Sequence, residues 1–210
     1  MRRALASLIL ILPSFAAAAP SLEAASAASM TALETVAVPR PSANAAAIAR
    51  RPAVATMQGG FSGFPVNLTF DRRAWTITGG IGGFPADVHI DQDAKKITGG
   101  VNGSPIELAF TWTPEKVAYK GAANLSPVEY TVDWQAGTVD GYANNSPLHL
   151  EFDLQAGTVK GAANHSGVEL SLDAVSGKLT GGMNSSPVDM TIVNGDLSDF
   201  LQYFFVFLKR

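Results

Sequence analysis

Residues 148–167 read LHLEFDLQAGTVKGAANHSG. This unit of about 20 residues occurs seven times in the chain, with variations. A proline marks the same position of six copies, with glycine in the remaining one: Pro65, Pro85, Pro105, Pro127, Pro147, Gly167 and Pro187. A glycine keeps the same step, which is 20 residues except for one step of 22 between the third and fourth copies: Gly59, Gly79, Gly99, Gly121, Gly141, Gly161 and Gly181. A fixed period of this kind predicts a stacked array of one supersecondary unit.

Each unit has the pattern of a β-hairpin. Residues 148–153 and 158–163 alternate apolar and polar side chains, which is typical of half-buried strands. Residues 154–157 and 164–167 carry glycine, asparagine and serine, and we interpret them as turns. The array is therefore predicted to contain about 14 short strands.

The pairing register follows from charge and size. If Asp153 faces Thr158, then Glu151 lies opposite Lys160 and Leu150 lies opposite Gly161, and both pairs are favourable across strands. The same register pairs large side chains with glycines throughout the array: Leu68 with Gly79, Leu108 with Gly121, Tyr130 with Gly141, and Leu170 with Gly181.

A parallel β-solenoid is the alternative architecture. It would stack the asparagines of successive repeats in a ladder, but it would also stack Asp133, Asp153 and Asp173 about 4.8 Å apart. Like charges at that spacing are unfavourable, whereas an antiparallel meander separates them by two strands. We therefore favour an all-β antiparallel meander.

The strands present one apolar face that must be covered. About 14 strands exceed what an open twisted sheet tolerates, so we expect the sheet to curl or to close into a barrel. A barrel of that size is too wide for its own side chains to fill, so either another segment occupies the middle or the barrel flattens into two packed layers. The inner face, a candidate contact for a ligand or for the tail, is predicted to comprise Leu68, Phe70, Leu108, Phe110, Tyr130, Val132, Leu150, Phe152, Leu170 and Leu172.

The C-terminal tail, residues 196–210, offers the filling. Ser198 is predicted to cap a helix over residues 198–208 that is apolar almost all round, as a buried helix is. We expect this helix to cover or plug the apolar face; a membrane-touching anchor and a final strand are the alternatives. The contacts are predicted to come from Phe200, Leu201, Phe204, Phe205 and Leu208.

The N-terminal part predicts export. Residues 1–19 combine Arg2 and Arg3 with an apolar stretch and a run of alanines, the pattern of a signal peptide. Residues 20–55, rich in Ala, Ser and Pro, are interpreted as a flexible spacer before the repeat domain at residues 56–195. The expected location is periplasmic or extracellular, and the absence of cysteine excludes disulfides there.

The sequence offers little chemistry. Between Thr56 and Gly195, 8 Lys and Arg stand against 14 Asp and Glu, so a nucleic-acid partner is not expected. His89, His149 and His165 lack a metal-ligand spacing, and neither a nucleophile motif nor a cofactor motif is present. The recurrent aspartates at the strand ends are interpreted as turn residues. We therefore predict no catalytic residues, no metal and no cofactor.

The leading functional expectation is a non-catalytic exported repeat protein that acts as a structural or binding module at the cell envelope, with a partner that the sequence does not identify. A carrier that holds a lipid or another apolar ligand inside a β-barrel is the first alternative. A small outer-membrane β-barrel is the second. Peripheral membrane contact through the tail remains open in each case.

Overall fold

The computed structural model describes residues 51–208 as a closed barrel of 14 strands with a short C-terminal helix. The prediction of a hairpin meander that closes into a barrel is confirmed. The predicted signal peptide and nearly all of the predicted spacer lie outside the described residues. The first strand begins at Val54, within the stretch that the sequence assigned to the spacer.

The strands follow the repeat closely. They are β1 (Val54–Phe61), β2 (Phe64–Asp71), β3 (Thr76–Ile81), β4 (Phe84–Asp91), β5 (Lys96–Val101), β6 (Ser104–Trp112), β7 (Lys116–Ala123), β8 (Ser126–Asp133), β9 (Thr138–Ala143), β10 (Ser146–Asp153), β11 (Thr158–Ala163), β12 (Ser166–Asp173), β13 (Lys178–Met183) and β14 (Ser186–Val193).

Each strand pairs antiparallel with its neighbours in sequence, and β1 pairs with β14 to close the ring. The alternative of a parallel solenoid is therefore wrong. The predicted register is confirmed, since Asp153 pairs with Thr158, Glu151 with Lys160 and Leu150 with Gly161. The other predicted partners also face each other: Leu68 and Gly79, Leu108 and Gly121, Tyr130 and Gly141, and Leu170 and Gly181.

One end of the barrel, which we call the Asn end, is formed by seven two-residue turns: residues 62–63, 82–83, 102–103, 124–125, 144–145, 164–165 and 184–185. Both residues of each turn have positive φ, as in Asn164 (52°) and His165 (59°), which is the type I′ geometry favoured in hairpins. The expected four-residue turn at 164–167 is therefore too long. Ser166 and Gly167 already belong to β12, because the I′ turn needs only two residues.

The opposite end, the Asp end, holds the longer turns. In five of them an aspartate at the end of the preceding strand accepts hydrogen bonds from backbone N–H groups two and three residues on, as Asp153 Oδ1 does from Gln155 (2.8 Å) and Ala156 (2.9 Å). The aspartates are Asp71, Asp91, Asp133, Asp153 and Asp173. This is the Asx-turn geometry, in which the side chain takes the place of a backbone acceptor.

The core lies inside the ring, because alternate residues of every strand turn inward and are buried. The intervening residues form an outer wall that is largely polar. After β14 the chain turns at Asn194 and continues as helix α1 (Leu197–Gln202) and a short 3-10 helix (Phe204–Val206). The tail is therefore helical in two short pieces rather than as the one helix expected over 198–208, and Asp196, not Ser198, is its N-cap.

One glycine of each repeat sits where the neighbouring backbone approaches closely. Gly161 has a φ of 145°, and a Cβ placed on it would lie 2.1 Å from the His149 carbonyl oxygen. The equivalent glycines share this environment: Gly59, Gly79, Gly99, Gly121, Gly141 and Gly181. The fixed glycine step in the sequence therefore reflects a backbone contact that no side chain can occupy.

We predict that Gly161→Ala destabilises the barrel by about 2 kcal/mol or more, because both the conformation and the space exclude a Cβ. The measurement is the free energy of unfolding in denaturant. Gly167→Ala is the matched control in the same hairpin, since a Cβ there meets nothing within 4 Å. Equal losses for the two variants would contradict the close-approach explanation.

Candidate functional site

The interior of the barrel, where a ligand site would be expected, is filled by the C-terminal tail of the chain itself. Side chains predicted to line the interior are buried there, and Leu68, Tyr130 and Leu150 are each at most 2% exposed. The remaining predicted inner-face residues lie on the same face: Phe70, Leu108, Phe110, Val132 and Leu170 are buried, and Phe152 and Leu172 are partly buried against the core.

The tail fills the space that this wall encloses. Phe200, Leu201, Phe204, Phe205 and Leu208 are all completely buried. The contacts come from different parts of the wall, since the tail packs against Phe61 of β1, Phe70 of β2 and Tyr119 of β7. The predicted tail residues and the predicted inner face thus lie in one common core.

Aromatic pairs dominate the contact between wall and tail. Tyr203 stacks on Phe70 with ring centroids 5.1 Å apart, and Phe205 packs against Tyr119 at 5.5 Å. Phe61 of β1 contacts Phe207 at 4.8 Å. Such pairs add specific geometry to the burial of large apolar surfaces, so they position the tail as well as stabilising it.

A cluster of charges at the Asp end, which we call the clamp, holds the start of the tail. It consists of Arg51, Arg72, Asp196 and Asp199. The Asp199 carboxylate accepts hydrogen bonds from Arg72 (2.8 Å) and from Arg51 (3.3 Å), and Arg51 also pairs with Asp196. Arg72 donates in addition to the carbonyl oxygen of Asn194 (3.1 Å), just before the helix.

The same carboxylates cap helix α1. Asp196 accepts from the backbone N–H groups of Ser198 (2.9 Å) and Asp199 (3.3 Å), while Asp199 accepts from the N–H of Asp196 (3.0 Å). This reciprocal capping box satisfies donors that a helix start leaves open. The Asp199 side chain is only 5% exposed, and burial raises the pKa of its carboxyl against the opposing effect of Arg72.

Two polar groups of the wall bind the tail deeper inside. The Tyr119 hydroxyl donates to the carbonyl oxygen of Gln202 (2.6 Å), and the Asn124 amide donates to the carbonyl oxygen of Leu208 at the Asn end. Both acceptors belong to backbone at or beyond the end of α1, where carbonyl groups lack helical partners. Burial raises the pKa of Tyr119, so its phenol stays protonated and able to donate.

Little space remains between wall and tail. A void of about 10 Å³ is lined by residues that include Ile90, Tyr119 and Tyr203. This is at the lower limit for a single water molecule. An open depression of about 720 Å³ lies instead on the outer wall, between β12 and β13, where Gly167 stands in the proline position of the repeat.

The outer wall carries cross-strand pairs of opposite charge. Lys120 contacts Glu129 at 2.9 Å and Lys160 contacts Glu169 at 3.1 Å, both in the exposed row at mid-height. In the same row His149 pairs with Asp140; this contact raises the pKa of the His149 imidazole and lowers the pKa of the Asp140 carboxyl. The register of the repeat therefore aligns these charges in a polar belt.

His89, His149 and His165 are predicted not to bind a metal ion. All three are exposed on the surface and lie apart from one another. His89 contacts Asp87 at 3.3 Å, and the His165 backbone N–H donates to the Ser146 hydroxyl at 3.0 Å. Among residues 51–208, no group of three or more His, Asp and Glu side chains is arranged to hold a metal ion. Over the same range, no helix is long and apolar enough to cross a membrane.

The clamp and the two inner anchors are the features that sequence reasoning missed. Arg51 falls in the predicted spacer and Arg72 in a turn, where a charged residue is ordinary. Asn124 belongs to a row of turn asparagines that the positive φ explains without further function. The acidic start of the tail, with Asp196 and Asp199, is the nearest signal in the sequence, and a helix N-terminus accommodates such carboxylates without a basic partner.

Comparison with protein-family models, with curated proteins and with solved structures finds no match for this chain. The site has therefore to be interpreted from its own geometry. That geometry is an apolar interior filled by the tail, which the clamp binds at the Asp end and Asn124 binds at the Asn end.

We predict that Tyr119→Phe lowers the free energy of unfolding by roughly 1–2 kcal/mol, because the Gln202 carbonyl loses a buried donor. Denaturant unfolding measures the loss. Tyr142→Phe is the matched control, since its hydroxyl makes an exposed hydrogen bond to Asn145 at 3.3 Å. A Tyr119 variant no less stable than this control would show that the anchor does not hold the tail.

We also predict a pH-dependent contribution from the His149–Asp140 pair. Because the folded pKa of His149 is raised, the pair stabilises the barrel fully below the unfolded pKa of about 6.5, and this contribution is lost as the pH rises through the folded pKa. NMR titration of the His149 ring should give a lower pKa in Asp140→Asn than in the unmodified protein. An unchanged pKa would assign the shift to another group.

Proposed function

We propose that this chain is a non-catalytic structural or binding module of the cell envelope, exported by its N-terminal segment. The observation that carries the proposal is the tail-filled interior. A barrel that encloses its own C-terminal segment presents no enclosed site for substrate, and the surface left for a partner is its outside. The clamp, the aromatic contacts and the inner anchors all serve to keep that interior closed.

The carrier alternative is weakened by the available volume. Pockets for small ligands measure roughly 300–1,000 Å³. The void between wall and tail is about 10 Å³, so an apolar ligand of ordinary size would have to displace the tail. Displacement would expose Phe200, Phe204 and Phe205, each now completely buried, and would break the clamp.

The outer-membrane alternative is weakened by the outer wall. A lipid-facing barrel surface is apolar, and charged residues there are destabilising. The row that contains Lys120, Glu129, Lys160 and Glu169 would lie at mid-height in that surface. The strands, at 6–9 residues, are also shorter than the about 9–11 residues that a membrane crossing needs.

The two ends of the barrel differ in a way that suits a tethered module. Turns at the Asp end carry charged side chains, and Arg51 brings the chain into the barrel there. The seven turns of the Asn end contain no Asp, Glu, Lys or Arg. The turns at the Asn end would therefore offer a partner amides, hydroxyls, glycines, the His165 imidazole and the exposed Leu125.

We expect native mass spectrometry of the mature protein, purified without detergent, to give the mass of the polypeptide alone. Solvent extraction of the same sample should release no stoichiometric apolar molecule, because the tail leaves no room for one. Extraction of buffer alone and of a parallel sample denatured before extraction serve as controls for adventitious lipid. A stoichiometric apolar molecule that leaves on denaturation would replace the proposal with a carrier function.

A further inference from the structure

The tail passes through the whole barrel. Its first residue, Asp196, follows β14 at the Asp end, and the Leu208 carbonyl oxygen is bound by Asn124 at the Asn end. Residues between these points are enclosed by 14 hydrogen-bonded strands without a gap. The chain therefore has one segment that is threaded through a ring formed by the rest of it.

Threading a finished ring would be costly. Since the tail is attached to β14 at the Asp end, its far end would have to travel from there to the Asn end. The residues that follow Leu208 in the sequence are Lys209 and Arg210, both cationic. They would have to pass along a wall of Leu, Val, Ile and aromatic side chains, and unpaired charges are strongly unfavourable in such surroundings.

Closing the sheet around the tail avoids that passage. The ring is completed by the pairing of β1 with β14, which joins the first strand to the last, from Thr56 with Val193 to Phe61 with Val188. We call this β1–β14 pairing the seam. If the seam forms last, the tail can first pack on the apolar face of the open sheet. On this route no cationic side chain has to cross the apolar interior.

The clamp links the seam to the tail. Arg51 lies three residues before β1, and it binds Asp196 and Asp199 of the tail. Arg72 binds the same Asp199 carboxylate and also donates to the Pro52 carbonyl oxygen at 2.6 Å. The start of β1 therefore has its charged partners in place only when the tail is inside.

We propose that the seam between β1 and β14 closes around the tail rather than before it, and that the clamp is the latch that makes closure depend on the tail. The closed barrel is then a state that the chain reaches only once its C-terminal segment is present. Tail insertion and ring closure form one cooperative step. An open-seam chain exposes the apolar face that the tail covers.

The first experiment uses refolding of the full mature chain with a folded domain fused after Arg210. The fused domain must stay folded at the denaturant concentration that unfolds the barrel, so that it cannot pass through a finished ring. We expect refolding to the unfused barrel's thermal midpoint, with no binding of a hydrophobic dye. An N-terminal fusion of the same domain is the matched control. Dye-binding, unstable barrels from the C-terminal fusion alone would overturn the proposal.

The second experiment tests the latch by hydrogen exchange. In Asp199→Asn we expect amides of β1 and β14 to exchange about tenfold faster, because a charge-assisted contact to the seam is lost. Amides of β8 and β9, on the far side of the ring, should keep their rates. Asp153→Asn is the control, an aspartate of the same end that does not contact the tail. Equal acceleration in β8 and β9, or none at the seam, would contradict the latch.

Discussion

Burial of the tail inside the ring is the constraint on which the other features depend. A barrel of 14 strands encloses more space than its own side chains can fill, and the small residues on alternate strands widen that space further. Phe200, Phe204 and Phe205 occupy it, each without exposed surface. Truncating one such phenylalanine would cost about 3–5 kcal/mol, a large part of the stability of an ordinary domain.

Filling a barrel with backbone brings polar groups into the core, and the structure satisfies them at three levels. The clamp and the capping box serve the start of α1, Tyr119 serves Gln202 near its end, and Asn124 serves Leu208 at the far opening. Each partner comes from the wall or from the segment just before it. The tail is therefore specified by position along the barrel axis, not only by its hydrophobicity.

The sequence predicts the periodic part of the fold and misses what depends on single distant pairs. Period-2 alternation, the Glu151–Lys160 pair and the glycine step predict the strands and the register, but they leave open whether the sheet curls or closes. The sequence predicts a four-residue turn at 164–167 where the structure has a two-residue turn. Ser166 and Gly167 are residue types common in turns, but they lie in β12. Arg51 and Arg72 carry no local signal, since their partner Asp199 lies more than 120 residues away. Ser198 resembles a cap by type, yet Asp196 has the better placed carboxylate.

The charges of the outer wall are the remaining feature that packing does not explain. Exposed pairs such as Lys120–Glu129 contribute little to stability, typically about 0–1 kcal/mol, so folding alone does not require them. These charges keep the outer wall hydrated. The closed ring also removes the free strand edges through which β-proteins associate. A self-filled interior and a charged, hydrated outer wall leave the outer surface for recognition by a partner. That distribution supports the role proposed above, in which the barrel is presented to a partner rather than enclosing a substrate.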